Sequence, residues 1–119
     1  MGRPRRLGGW GVGVVIRRGE AWWADLPEPV GRRPVLVLTR DAVVAVRANV
    51  MVAPITTRMR GIPTEVPLGP EDGLPKPCVV DLDSLQTLSK ATLCERIAPL
   101  SRQKMNEVEA AVRFALSLG

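Results

Sequence analysis

Glycine and proline punctuate the chain from Arg18 to Leu100, and the stretches they leave are short, apolar and β-branched. Stretches of this kind read as strands a few residues long rather than as helices. GEAWWADL (19–26) carries two tryptophans suited to a pleated surface and stops at Pro27. PEPVG (27–31) is rich in turn residues. RPVLVLTRD (33–41) is long enough for one buried strand, and AVVAVRANV (42–50) fits either a helical turn or a loop. NVMVAPITT (49–57) reads as a third strand. Pro54 inside it implies an edge or a bulge, because proline cannot donate to a ladder. RGIP (60–63) turns the chain, TEVPL (64–68) reads as a fourth strand, and GPEDGLPKP (69–77) is a loop. CVVDLDSLQTL (78–88) begins as a strand, SKATLCE (89–95) suits one helical turn, and RIAPL (96–100) is a last short strand.

After Ser101 the period changes. Serine is a good N-cap, and Met105, Val108, Val112, Ala115 and Leu116 follow at helical spacing. Several short strands plus one terminal helix predict a mainly β protein, a small barrel-like domain with the helix packed on the sheet. The 119 residues fit one domain and can bury a core without staples. MGRPRRLGGWGVGVVI (1–16) is basic and Gly-rich and reads as a disordered tail, which leaves 17–119 as the folded domain. Its apolar run ends in Arg17-Arg18 rather than at a small-residue cleavage site, and it is too short to span a membrane. Trp10 lies in that tail. Two distant cysteines, Cys78 and Cys94, without ligand-like neighbours or an export signal, suggest thiols in a reducing cytoplasm.

The chain has no histidine. This removes zinc sites of the Cys/His kind and every mechanism that needs an imidazole base. The glycines of RLGGWGVG follow no strand and precede no Walker lysine, so they make no phosphate loop. Asp81 and Asp83 are read as two carboxylates on one face of a strand, facing solvent. What remains is basic. The formal charge is +5, and residues 17–60 hold eight basic against four acidic side chains. Arginine dominates, and its planar fork fits phosphate. In MVAPITTRMR (51–60) an apolar half suited to the core gives way to Thr56, Thr57, Arg58 and Arg60, while Arg33 sits just before a buried strand. Arginine and a hydroxyl at converging strand ends can hold a phosphate.

RRGEAWWADL, then G-x-RPVLVLTRD, then VAPITT, then VVDLDSLQTL, in that order and spacing, resemble the MazF/PemK toxins of bacterial toxin–antitoxin pairs over about residues 16–118. The resemblance implies an SH3-like barrel of the PemK/CcdB kind and a homodimer. It implies a metal-independent endoribonuclease with no cofactor, cutting single-stranded RNA at short sequences to leave 2′,3′-cyclic phosphate and 5′-OH ends. It implies a cognate MazE-like antitoxin that lays an acidic tail into the RNA groove. Arg33 and Thr56 match the family's catalytic arginine and threonine. Thr57, Arg58 and Arg60 become the adjacent RNA-contacting stretch, with Arg18, Asp83 and Gln86 as further contacts.

Three departures stand out. The segment between Asp25-Leu26 and Arg33-Pro34 is short where many relatives carry a longer gating loop. Asp81 stands where some relatives have an arginine, and Gln86 where they often have a basic residue. Toxins of the same fold that poison DNA gyrase by binding protein, and silent members that only bind antitoxin, are the alternative functions. Trp22 and Trp23 are neighbours on a strand and face opposite ways. One is expected in the core, the other at an interface or under a base.

Overall fold

The computed structural model describes residues 15–119, so residues 1–14 of the expected tail, Trp10 among them, lie outside it. The described part begins in a folded context: Ile16 is buried in an apolar cluster with Trp22 and Val35. Seven strands follow: β1 (Glu20–Asp25), β2 (Arg32–Val37), β3 (Asn49–Thr56), β4 (Glu65–Leu68), β5 (Cys78–Asp81), β6 (Gln86–Ser89) and β7 (Leu93–Pro99). One short helix, α1 (Asp41–Val44), separates β2 from β3, and α2 (Arg102–Ala115) ends the fold. All pairings are antiparallel, in the order β4-β5-β3-β2-β1-β7, with β6 also paired to β3. The sheet is strongly forked rather than closed by hydrogen bonds.

The fork explains Pro54, which lies neither on an edge strand nor in a bulge. On one side of β3, Pro54 is paired with Val35 of β2. On the other side, β6 covers Asn49 to Val52 and β5 covers Ile55 and Thr56. The Leu38 amide donates to the Met51 carbonyl. By the two-residue alternation of an antiparallel ladder, the Pro54 nitrogen then faces away from β2, into the gap between β6 and β5. The missing donor falls where no strand needs it.

Strand alternation sorts the apolar residues into two cores. One face collects Ala21, Leu36, Ala53, Ile55, Val80 and Leu82. The other collects Trp22, Ala24, Val35, Val37, Val50 and Val52. The first core lies under α2, which buries Val108 and Ala111 and half-buries Met105 and Val112. Ser101 caps this helix as expected, its Oγ accepting from the Lys104 amide at 3.1 Å. Leu116 falls beyond the last turn and is exposed, so the buried stripe ends earlier than the helical spacing predicted.

Residues 78–88 do not stay in one strand. β5 ends at Asp81, whose carboxylate accepts from the Asp83 amide (3.0 Å) and the Ser84 hydroxyl (2.8 Å). An aspartate that bonds the backbone two residues on stops a strand and turns the chain. Asp81 thus ends β5 and Asp83 lies in the turn after it, so they are not two carboxylates on one strand face. AVVAVRANV yields most of the single turn of α1, a short loop and, at Asn49-Val50, the start of β3. In SKATLCE only Lys90–Thr92 are helical, as one 3-10 turn capped by Ser89, and β7 starts already at Leu93.

Gly73 closes the short 3-10 turn Pro70–Asp72 with φ of +93°. A Cβ there would lie 2.5 Å from the Ala98 Cβ. Both the left-handed backbone and the contact exclude a side chain. Gly73→Ala should cost about 1–3 kcal/mol, read as a lower urea midpoint; an unchanged midpoint would refute this packing.

Candidate active site

Sequence puts a polar end on each core strand, and the register brings those ends together. Along β3, Val50, Val52 and Pro54 share one face, and Thr56 is the next residue on it. Along β2, Val37 and Val35 share the same face, and Arg33 is the next. Val35 is paired with Pro54, so Arg33 and Thr56 occupy matching positions where the buried row ends. The apolar half of MVAPITTRMR is barrel wall, and its polar half is the rim.

A cleft of about 720 Å³ opens there. Arg33, Thr56, Thr57, Arg58 and Gln86 all line it, together with Arg32, Trp23, Lys76 and the apolar Leu26, Val30, Leu74 and Cys78. Among the described residues its lining contains four cations, one of them paired with Glu95, and no carboxylate. Low-dielectric walls around one sign of charge strengthen the pull on an anion. Arg33 is exposed, and among the described residues its guanidinium donates only to the Arg32 carbonyl, at 3.2 Å. Thr56 is half-buried, and its Oγ1 accepts from the Arg58 amide at 3.1 Å. With a lone pair so engaged, the hydroxyl proton is left for an incoming acceptor. Burial pushes the Cys78 thiol up, with Asp72 adding to the shift, so it lines the cleft as an apolar wall.

Three of the expected contacts lie elsewhere. The Arg18 Nε donates to the Leu38 carbonyl (3.1 Å), and its guanidinium pairs with Glu109 of α2 (3.2 Å). Gly19 bonds Val37, so Arg18 stands at the far end of β2 from Arg33. Asp83 accepts from the hydroxyl of the buried Thr64 at 2.6 Å. The Arg60 amide donates to Glu65 at 2.8 Å, and Arg60 does not line the cleft. Sequence reasoning passed over Arg32 and Lys76. A lysine between two prolines of a loop gives no local signal. The partner of Arg32, Glu95, is 63 residues away and no spacing rule connects them.

Trp22 is in the second core, and Trp23 lines the cleft, half-buried, as the alternation required. The short Leu26–Gly31 segment is a tight turn, closed by bonds from Leu26 to Gly31 and from Val30 to Pro27. Its Leu26 and Val30 form part of the cleft wall.

Among the described residues, no group of His, Cys, Asp and Glu is arranged to hold a metal ion, and no helix is long and apolar enough to cross a membrane. The arrangement defines a class: a small, forked antiparallel β domain whose strand ends open a basic cleft suited to an extended anion. More specifically, the chain belongs to the PemK-like, MazF-like toxin family of type II toxin–antitoxin systems, whose model matches residues 17–116. It is 41% identical over 100 residues to a probable endoribonuclease, MazF5, of Mycobacterium tuberculosis, covering 83% of this chain and 91% of that protein. Endoribonuclease MazF3 of the same organism is 42% identical over 86 residues, 72% and 84% of the two chains. Among solved structures, the Mycobacterium tuberculosis toxin MazF-mt6 superposes with a TM-score of 0.78 at 38% identity, covering 84% of this chain and 98% of that one. A mycobacterial endoribonuclease in complex with its cognate antitoxin superposes with a TM-score of 0.80 at 31% identity, covering 88% and 98%.

Proposed function

We propose that this protein is the toxin of a type II toxin–antitoxin pair and a sequence-specific endoribonuclease that needs no metal. The observation that carries the proposal is the meeting of Arg33 and Thr56 in a basic cleft that no carboxylate of the described residues lines. Relatives 38–42% identical to this chain are named endoribonucleases or probable endoribonucleases.

In this reading the substrate is single-stranded RNA. The ribose 2′-oxygen loses its proton and bonds to the adjacent phosphorus. The bond from phosphorus to the 5′-oxygen breaks, and that oxygen takes up a proton. The products are a 2′,3′-cyclic phosphate and a 5′-OH end. Negative charge gathers on the phosphoryl oxygens as the new bond forms, so fixed donors aimed at them lower the barrier. Arg33 supplies a planar fork for two of those oxygens. Arginine side chains stay protonated in proteins, which suits an electrostatic clamp better than a proton donor. Thr56, oriented by the Arg58 amide, donates its hydroxyl proton to a phosphate oxygen. Thr57, Arg58 and Gln86 hold the flanking strand. DNA lacks the attacking hydroxyl and is at most a ligand.

The toxin acts as a homodimer in the cytoplasm, where Cys78 and Cys94 stay thiols. A MazE-like antitoxin with an acidic tail silences it by filling the same cations. A deciding experiment incubates the purified protein with long single-stranded RNA in EDTA and maps the ends. Cuts at one short motif with 5′-OH ends are expected. Intact RNA would shift the reading to a toxin that binds a protein target.

A further inference from the structure

Two arginines stand side by side at the mouth of the cleft, and their surroundings differ. Arg33 and Arg58 have no carboxylate partner among the described residues, so their charge is available to phosphate. Arg32 is also a cation but is already paired. Its guanidinium donates to Glu95 of β7 at 2.5 Å, and the residue is paired with Asp25 in the β1–β2 register. The bond to Glu95 pushes Arg32 above the ordinary arginine range. The same guanidinium lies over the Trp23 ring, 5.0 Å from its centroid. Yet its side chain remains 47% exposed. A planar group set over an indole and tied to a carboxylate, yet still part-exposed in the cleft lining, has surface left for a ligand.

We infer that the Arg32 guanidinium, laid on Trp23 and tethered by Glu95, is a stacking shelf for a nucleobase next to the scissile phosphate. The inference rests on the ribonuclease reading for its substrate. Unpaired RNA bases stack on aromatic rings and on arginine planes alike. Alternation gives the shelf its place. Trp23, Arg32 and Pro34 share the face opposite that of Arg33 and Thr56, and the cleft wraps the strand ends to touch both rows. Phosphate binds one row, and a neighbouring base lies on the other. Glu95 is a positioning residue: it holds one guanidinium nitrogen and draws the charge toward β7, which fixes the plane over Trp23.

The test uses the full chain and a short fluorescent single-stranded DNA, which cannot be cut because it lacks the 2′-OH. Its affinity is compared with that of an abasic strand of equal length. The base-bearing strand should bind about ten-fold more tightly to the wild type. Arg32→Lys keeps the charge and loses the plane, so the preference should fall to about two-fold or less. Glu95→Gln should keep part of the preference and steepen the salt dependence, because an untethered Arg32 turns to phosphate. The preference is a ratio within each protein, so partial unfolding of a variant cancels. A full preference in Arg32→Lys, or none in the wild type, overturns the shelf. An unchanged salt slope in Glu95→Gln overturns the tether. Failure of the ribonuclease reading appears separately, as intact RNA with the DNA preference retained.

Discussion

Arg33→Ala is expected to slow RNA cutting by about 10²–10³-fold, the loss seen when one fixed donor to a developing oxyanion is removed. The loss should appear in kcat, because the clamp matters most when charge reaches its maximum. Thr56→Ala should act in the same direction. Arg33→Lys should recover only part of the rate, since an ammonium is a point charge without the two-pronged fork. Stability should stay within about 0.5 kcal/mol of wild type, because Arg33 is exposed and its one hydrogen bond runs to its neighbour's carbonyl. The measurement is single-turnover cleavage of the mapped RNA beside a thermal melt. Cutting at the wild-type rate by both alanine variants would remove the pair from the chemistry. A toxin acting on gyrase would keep its effect on growth in Arg33→Ala.

Glu20→Ala is expected to produce the largest loss of stability. Glu20 is only 3% exposed, at the start of β1. Its Oε1 accepts from the Arg17 amide (2.9 Å) and the Trp22 indole (3.0 Å), and its Oε2 pairs with Arg96 of β7 (3.0 Å). Alanine would leave the indole donor buried without a partner. The loss should be about 2–4 kcal/mol, out of a typical 5–15 for a domain. Most of that comes from the orphaned donors, because the Arg96 side chain is 57% exposed and its pairing is screened. Glu20→Gln keeps one acceptor and should lose less. Urea unfolding followed by tryptophan fluorescence measures both, and an unchanged midpoint for Glu20→Ala would refute the network. The R-G-E of the opening strand is thus a folding motif. Arg18 ties to Glu109, Gly19 has φ of +89° against Met105, and Glu20 anchors Trp22.

That motif shows how far a sequence reading reaches. Arg18 lies outside the cleft, paired with Glu109: local sequence carries charge but not the direction in which a strand end opens. Asp83 also lies outside the cleft lining, and the hydroxyl that engages it, Thr64, comes from the segment before β4. Conversely, Arg32 had no signal of its own, since its meaning depends on Trp23 and Glu95 arriving from two other strands.

The strands, the terminal helix and its Ser101 cap follow from the chain itself, because period-two and helical patterns and N-cap chemistry act over a few residues. The switch from apolar to polar within MVAPITTRMR also marks where a core strand must meet solvent. Tertiary structure alone decided which polar ends face each other. The pairing of Val35 with Pro54 sets Arg33 level with Thr56, and the fork at β3 leaves the open side. Register is a long-range property: a slip of one residue would turn every side chain of β2 to the other face, and no local pattern in this chain specifies the partner.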